Sequence, residues 1–494
     1  MSSAPLPARL VGLTGVVGAA LLAVALGAMI PQLGLKGLVG VAGLAGAVAL
    51  AMLTGRPREV LLVGYIVALT YNRQYFDAFV AVFDTPANAG LFWTPADLML
   101  LAMVGVTALQ RALGRGAPAR PGHELSIAPV LPFLVAALLT TLAADRPDLA
   151  MTDTVRVVKF ALVLAWLQWN MDRPLWIAAV VGLTLAILMQ AALGMMQVLL
   201  RADGGLSAVL AGQGAIDIEE LGFNRASGSL AHPNVLAAYL LLLVPAAFGV
   251  VAFARHPLLR LAGIAISLVG LAAMLVTKSR APGVLLLGAL PLVVACGVAL
   301  RAIPARLAIG GMILGSCALA AALLPFLGDI IERFSGDFSE SIDFRADYNR
   351  AAVLVFDDAP LLGVGFGASS ARMAEFVPLI ALEIQALAEV AASASVRAAA
   401  PVHNVYLLIL AEAGAIGLAG FVLLLLAGLL RGVRAIAATR GAVRGICVGF
   451  TIAILLEAVQ QTVDFSLWLD PSWYTYALVL ALLGSAPRLW PATP

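Results

Sequence analysis

Long apolar runs recur from one end of the chain to the other, and the polar residues collect in the short segments between them. Runs near 10–30, 33–54, 59–72, 95–113, 126–143, 152–170, 175–200, 233–253, 261–277, 283–300, 307–327, 402–430, 446–463 and 473–487 make about fourteen. Most approach the roughly 20 residues that a helix needs to cross a hydrocarbon core about 30 Å thick. A chain inside that core must satisfy its own backbone N–H and C=O groups, which predicts helices throughout. The expected fold class is therefore all-α, a polytopic membrane helix bundle of about 12–14 transmembrane helices with a large, partly helical extramembrane loop. The run at 10–30 is long for a signal peptide and another follows at once, so it reads as a membrane helix.

Composition sharpens this picture. Hydrophobic residues are 62% of 494 and charged residues 12%, about half the charged share of a soluble domain; mean hydropathy is +1.01. The formal net charge of +2 says little, and no nucleic-acid partner is expected beside the membrane lipids. Cys296, Cys317 and Cys447 all fall in apolar runs and lack the polar-flanked pairing of a metal or disulfide set. They read as small core residues.

Where the charges sit sets the orientation. With the N-terminus cytoplasmic, the inside segments hold Arg9, Arg56 and Arg58; Arg111, Arg115 and Arg120; Arg255 and Arg260; Arg301 and Arg306; and Arg431, Arg434, Arg440 and Arg444. The outside segments at 72–94, 144–151, 201–231, 278–282, 328–401 and 465–472 are sparsely basic. Both termini then fall inside. The chain divides into N-terminal membrane helices (1–200), a first large outside loop (201–231), central membrane helices (232–327), a large outside cap (328–401) and C-terminal membrane helices (402–494). Loops of such length are usually functional or disordered. The cap carries amphipathic stretches at 342–358 and 374–397 around a glycine-rich 362–367, and 388–400 reads as low-complexity helix or linker. No internal repeat is visible, unlike transporters built from duplicated halves.

The few outside basic residues cluster at helix starts. Pro233 follows Arg225 and His232, Pro282 follows Lys278 and Arg280, and Pro401 stands just before His403 and Asn404. Proline suits the first helical turn, and a helix N-terminus attracts anions. If these starts converge with Arg225 and Arg280, they form a site for a diphosphate; the alternative is that each arginine reaches lipid headgroups. Arg345 and Arg350 lie among Asp343 and Asp347, so local ion pairing competes there.

Of the four histidines, His123 and His256 fall inside. His232 directly precedes a proline and reads as a helix cap or brace, which leaves His403 as the preferred proton acceptor near neutral pH. The alternative for His403 is a capping or interfacial histidine. Glu412 lies nine residues on, about 900° around a helix, so the two are expected on opposite faces unless the helix begins later than His403. Gly414, Gly417 and Gly420 then read as close helix packing. Glu457, Gln461 and Asp464 share one helical face, and intramembrane acids are functional by default. They hold a sugar, fix an arginine, relay a proton, or pair structurally with Arg156 or Lys159. Gly363, Gly365 and Gly367 lack the strand–helix setting of a nucleotide loop and read as a turn.

His403 and Asn404, followed after nine residues by Gly414 and then Gly417, resemble the signature of the O-antigen ligase and polymerase family. Three further stretches resemble the same family: Arg225 with Gly228, His232 and Asn234; Ser279 with Arg280; and Arg345 with the later Asp358, Pro360, Gly363 and Gly365. The resemblance covers roughly 201–420 and departs at Ala281 and Pro282, where family members often have glycine. It implies a metal-independent, cofactor-free membrane glycosyltransferase of the GT-C type in the bacterial inner (cytoplasmic) membrane, with a periplasmic active site. The implied donor is an undecaprenyl-diphosphate-linked glycan and the implied acceptor lipid A-core or a carrier-linked glycan. His403 would be the base, Arg225, Arg280 and Arg345 would grip the diphosphate, and Asn404 and His232 would contact substrate.

The chemistry is consistent with that assignment. A departing diphosphate needs charge stabilisation, whereas the acceptor hydroxyl must lose a proton. A ligase and a repeat-unit polymerase share this donor chemistry. A lipid-linked glycan transporter or flippase is the alternative from another class, and it predicts ionisable residues along a through-going path.

Overall fold

The computed structural model describes residues 46, 50, 53–70, 76–77, 92–113, 127–144, 146–199, 225–230, 232–323, 339–369, 372–373 and 402–492. The first apolar run, nearly all of the second, the stretch 374–397 and His123 lie outside these residues. Each of the twelve later runs contains a helix. In chain order these are α1 (Pro57–Leu69), α2 (Pro95–Ala112), α3 (Leu131–Ala143), α4 (Pro147–Asn170), α5 (Arg173–Leu199), α6 (Pro233–Phe253), α7 (Pro257–Thr277), α8 (Arg280–Ala299) and α9 (Ala305–Leu323). A more polar helix, α10 (Ser339–Asp358), follows, and then α11 (Val405–Ala438), α12 (Gly441–Gln460) and α13 (Asp470–Leu489). One short strand pair, Phe76–Asp77 with Phe92–Trp93, is the exception among the described residues. The fold is an all-α, multi-pass membrane helix bundle, and six of its helices (α5 to α8, α11 and α12) are long and apolar enough to cross a membrane.

Local sequence explains several boundaries. Proline occupies the first turn of α1, α2, α3, α4, α6, α7 and α13, where its missing N–H leaves no hydrogen bond unmade. Thr94 and Asp97 close a reciprocal capping box at the start of α2. The amphipathic stretch in the cap is α10, whose buried Tyr348, Ala351, Ala352 and Val355 recur at helical spacing; the helix packs against α11.

α6 is the central helix, packed on α7, α8, α12 and α13. It runs antiparallel to α12, and the two backbones meet at Gly249 against Gly445 and at Pro245 against Gly449. A Cβ on any of these glycines would strike the partner's carbonyl, so small residues set this approach. α7 and α8 instead expose leucines on the outside of the bundle, among them Leu261, Leu268, Leu287 and Leu290. The alternation of helix directions puts Arg255, Arg260, Arg301, Arg306, Arg434, Arg440 and Arg444 at or near one end, and His232, Arg280, His403 and Asp464 at the other.

Candidate functional site

His403 is placed by the start of α11. Asn404 caps that helix, its side-chain oxygen accepting from the N–H of Tyr406 at 3.0 Å and of Leu407 at 3.2 Å. The N–H of Val405 bonds to the carbonyls of Gln461 at 3.0 Å and Asp464 at 3.1 Å, which pins α11 to the segment joining α12 to α13. His403 stands one residue before the cap and is half-buried. Its Nδ1 lies 4.0 Å from Oδ1 of Asp464, and its ring meets Phe465 edge to face with centroids 5.3 Å apart. The helix therefore starts later than Pro401 suggests, and Pro401 itself lies outside the described residues.

A second group gathers at the same end. Nε of Arg225 donates to the carbonyl of Thr277 at 2.9 Å, and its Nη2 donates to Oδ1 of Asn234 at 2.8 Å. Ser279 Oγ donates to that same oxygen at 2.8 Å. Asn234 thus ties Arg225, the first turn of α6 and the α7–α8 hinge together. Lys278 takes a left-handed conformation (φ 51°) to make that hinge, and the next residue but one, Arg280, opens α8. His232 caps α6: its Nδ1 accepts from the N–H of Asn234 at 3.1 Å, and its carbonyl accepts from Val235 and Leu236. Gln190 and Gln197 of α5 hold the loop at 227–229 from behind. Arg345 lies in α10, and its side chain falls outside the described residues.

The expected anion site at three convergent helix starts is corrected in one respect. The first N–H groups of α11 and α6 are bonded to Asn404, Gln461, Asp464 and His232, because a polar cap residue lies within reach of each.

Glu457, Gln461 and Asp464 do not share one helical face, because α12 ends at Gln460; Asp464 faces His403 instead. Gln461 donates to Glu457 at 3.0 Å and to Ser466 at 3.3 Å, and its oxygen accepts from the N–H of Leu467 at 3.1 Å. Among the described residues these acids make no ion pair with Arg156 or Lys159. Arg156 pairs with Asp153 and Asp470, both at 2.8 Å, and Lys159 pairs with Asp97. α4 carries both cations and packs on α13, which brings Asp470 to Arg156; Asp153 lies on α4 itself, one turn from Arg156.

Glu412 accepts from Ser369 Oγ at 2.7 Å; because α11 begins only after His403, helical spacing does not relate the two. The reading of Gly414 as helix packing is corrected. α11 is interrupted there (φ 62°, ψ −167°), a conformation reserved for glycine. The glycine-rich stretch after α10 fills the interruption. N–H groups of Val364 and Gly365 donate to the carbonyls of Ala411 and Glu412, while those of Ala415 and Ile416 donate to the carbonyls of Pro360 and Leu361. Gly363 and Gly414 touch the opposing backbone at positions where a Cβ would collide. Gly420 meets the backbone of Phe133 on α3, so close helix packing holds there, whereas Gly417 abuts only Ala413 and Ile409 of its own helix. Phe366, from the same stretch, stacks on Trp468 with ring centroids 5.4 Å apart. Ser369, Trp468 and Asp470 had no sequence signal of their own beyond polarity or aromaticity near a helix end.

No curated protein matches the chain. A comparison with protein families matches residues 265–422 to the family described as O-antigen ligase. The matched segment holds Ser279 with Arg280, α10, the glycine-rich stretch, and His403 with its following glycines, while Arg225 and Asp464 lie outside it. This match, over about a third of the chain, and the motif around His403 make the chain similar to the O-antigen ligase and polymerase family.

Proposed function

We propose that the protein transfers a glycan from a lipid-linked diphosphate, the undecaprenyl carrier, to an acceptor hydroxyl, lipid A-core in the ligase reading. The observation that carries this is the placement of His403, beside Asp464, at the bundle end that also gathers Arg225, Asn234, Ser279 and Arg280. With Nδ1 turned to the Asp464 carboxylate, the favoured tautomer has its proton on Nδ1. Nε2 is then the proton acceptor. The 4.0 Å separation suits a pair that tightens once substrate is bound.

In this mechanism the acceptor oxygen attacks the anomeric carbon as its proton passes to Nε2 of His403. The bond from that carbon to the diphosphate oxygen breaks, and the configuration inverts. Arg225 and Arg280 take up the charge that develops on the departing diphosphate, with Arg345 from α10 as a third cation. Because the helix starts of α6 and α11 are capped from within, the arginine side chains carry this role. Asn404 and His232 hold the backbone on which the site stands, and their side chains line its edge. The arginine-rich end of the bundle is assigned to the cytoplasm, which puts His403 at the periplasmic face.

The transporter alternative would need the break in α11 to line a path, as broken helices do in transporters. The break is instead closed by backbone hydrogen bonds from residues 360–365. The test is complementation of a ligase-deficient and a polymerase-deficient bacterial strain with wild type and His403→Ala at matched membrane abundance. Rescue of one strain by wild type alone identifies the acceptor class. Equal rescue by both proteins removes His403 as the base, and rescue of neither strain by wild type returns the transporter reading.

A further inference from the structure

His403 owes its surroundings to the nine residues, 461–469, that join α12 to α13. Asp464 and Phe465 of this segment contact its ring. The near end is held by Gln461, whose side chain binds Ser466 and the N–H of Leu467. The far end is held from across the bundle by one residue of α4, Arg156. Its Nη2 donates to the carbonyl of Trp468 at 2.5 Å, its Nε to Asp470 at 2.8 Å and its Nη1 to Asp153 at 2.8 Å. Its guanidinium carbon also lies 5.5 Å from the Trp468 ring centroid.

We propose that Arg156 is a positioning residue for the His403–Asp464 pair: it fixes the Trp468–Asp470 end of the joining segment, and so the place of Asp464. This inference rests on the reading of His403 as the base.

Three arguments support it. Three residues separate Asp464 from Trp468, at most about 3.5 Å of reach each, so an anchor at Trp468 leaves Asp464 little freedom. The three bonds leave from three different guanidinium nitrogens toward a carbonyl and two carboxylates on two helices. A planar fork makes such a set, and the compact ammonium of lysine does not. Finally, the Trp468 ring meets both this guanidinium and Phe366 of the glycine-rich stretch, so the place of Trp468 bears on where that stretch stacks.

The test is steady-state kinetics in isolated membranes of the complemented strain, following release of undecaprenyl diphosphate while lipid-linked glycan and acceptor lipid are varied. Arg156→Lys keeps the charge opposite Asp153 and Asp470 but loses the fork. The expected result is a kcat about 10²-fold lower, the scale of a misplacement of ~1 Å in a catalytic group, with the donor KM unchanged. Asp464→Asn should lower kcat similarly, and the double variant should be no worse than Asp464→Asn alone. Independent, multiplying losses, or a loss confined to the donor KM, would overturn the proposal. If Arg156→Lys does not accumulate in the membrane, Asp470→Asn, which loosens the same anchor while leaving Arg156 paired with Asp153, takes its place with the same expectations. An inactive His403→Ala beside a fully active Arg156→Lys defeats this inference alone, whereas a fully active His403→Ala defeats the reading beneath it.

Discussion

The two halves of the site are assembled over very different lengths of chain. Arg225 is held by Asn234 nine residues on and by Thr277, 52 residues on, and Ser279 reaches Asn234 over 45 residues. That half is a contiguous unit of two helix starts and a hinge. The surroundings of His403 are drawn instead from across the bundle, with Arg156 bonded to Trp468 and Asp470 over 312 and 314 residues. On the proposed mechanism, substrate grip is thus built locally, while the alignment of the base depends on how α4, α11, α12 and α13 pack. Changes to the first half should appear mainly in donor binding, and changes to the second mainly in turnover.

The strongest way to break this comparison is His403→Ala. Loss of the base should lower kcat about 10²- to 10⁴-fold and leave the donor KM unchanged; a large rise in that KM would mean that His403 grips the donor. Next in size, Arg280→Ala should raise the donor KM by roughly ten- to a hundredfold, as expected for one lost charge-assisted hydrogen bond of about 1.5–3 kcal/mol. Titration with lipid-linked glycan in isolated membranes reads this directly, and an unchanged KM would remove Arg280 from the clamp.

Gly414→Ala tests the long-range half without touching a charged group. The φ of 62° and the opposing backbone of Leu361 both resist a Cβ. The backbone conformation alone should destabilise the protein by about 1–3 kcal/mol, visible as a lower Tm in detergent. Turnover should fall along with it while the donor KM holds. The smallest effect is expected from Asn234→Ala, which removes the shared acceptor of Arg225 and Ser279. A rise in donor KM of a fewfold, on the scale of about 1 kcal/mol, should leave kcat intact. A larger fall in kcat than in affinity would show that the local half also aligns the base.

Hydropathy alone marked the helices, because burying a backbone in hydrocarbon is a local requirement that each run meets by itself. It did not separate α6 from α7, although their mean hydropathies are 2.5 and 2.2 and one is central while the other faces outward. Lipid tails are as apolar as leucine, so only partner contacts such as Gly249 on Gly445 distinguish them. Within the site, His403, Asn404, Arg225 and Arg280 were legible from residue type beside expected helix starts. The cap role of Asn404 was not, since the boundary at Val405 depends on Gln461 and Asp464 taking that N–H.

The sequence by itself determined the membrane class, the order of the apolar helices among the described residues, and a candidate base, because all three follow from residue type, hydrophobicity and spacing within a few turns of chain. The tertiary structure decided the rest. The break at Gly414 exists because residues 360–365 lie against it; Glu412 meets Ser369, and Arg156 meets Asp470 rather than the acids of α12. Each is a pairing between distant segments, set by which helices pack together, and spacing along the chain carries no record of that choice.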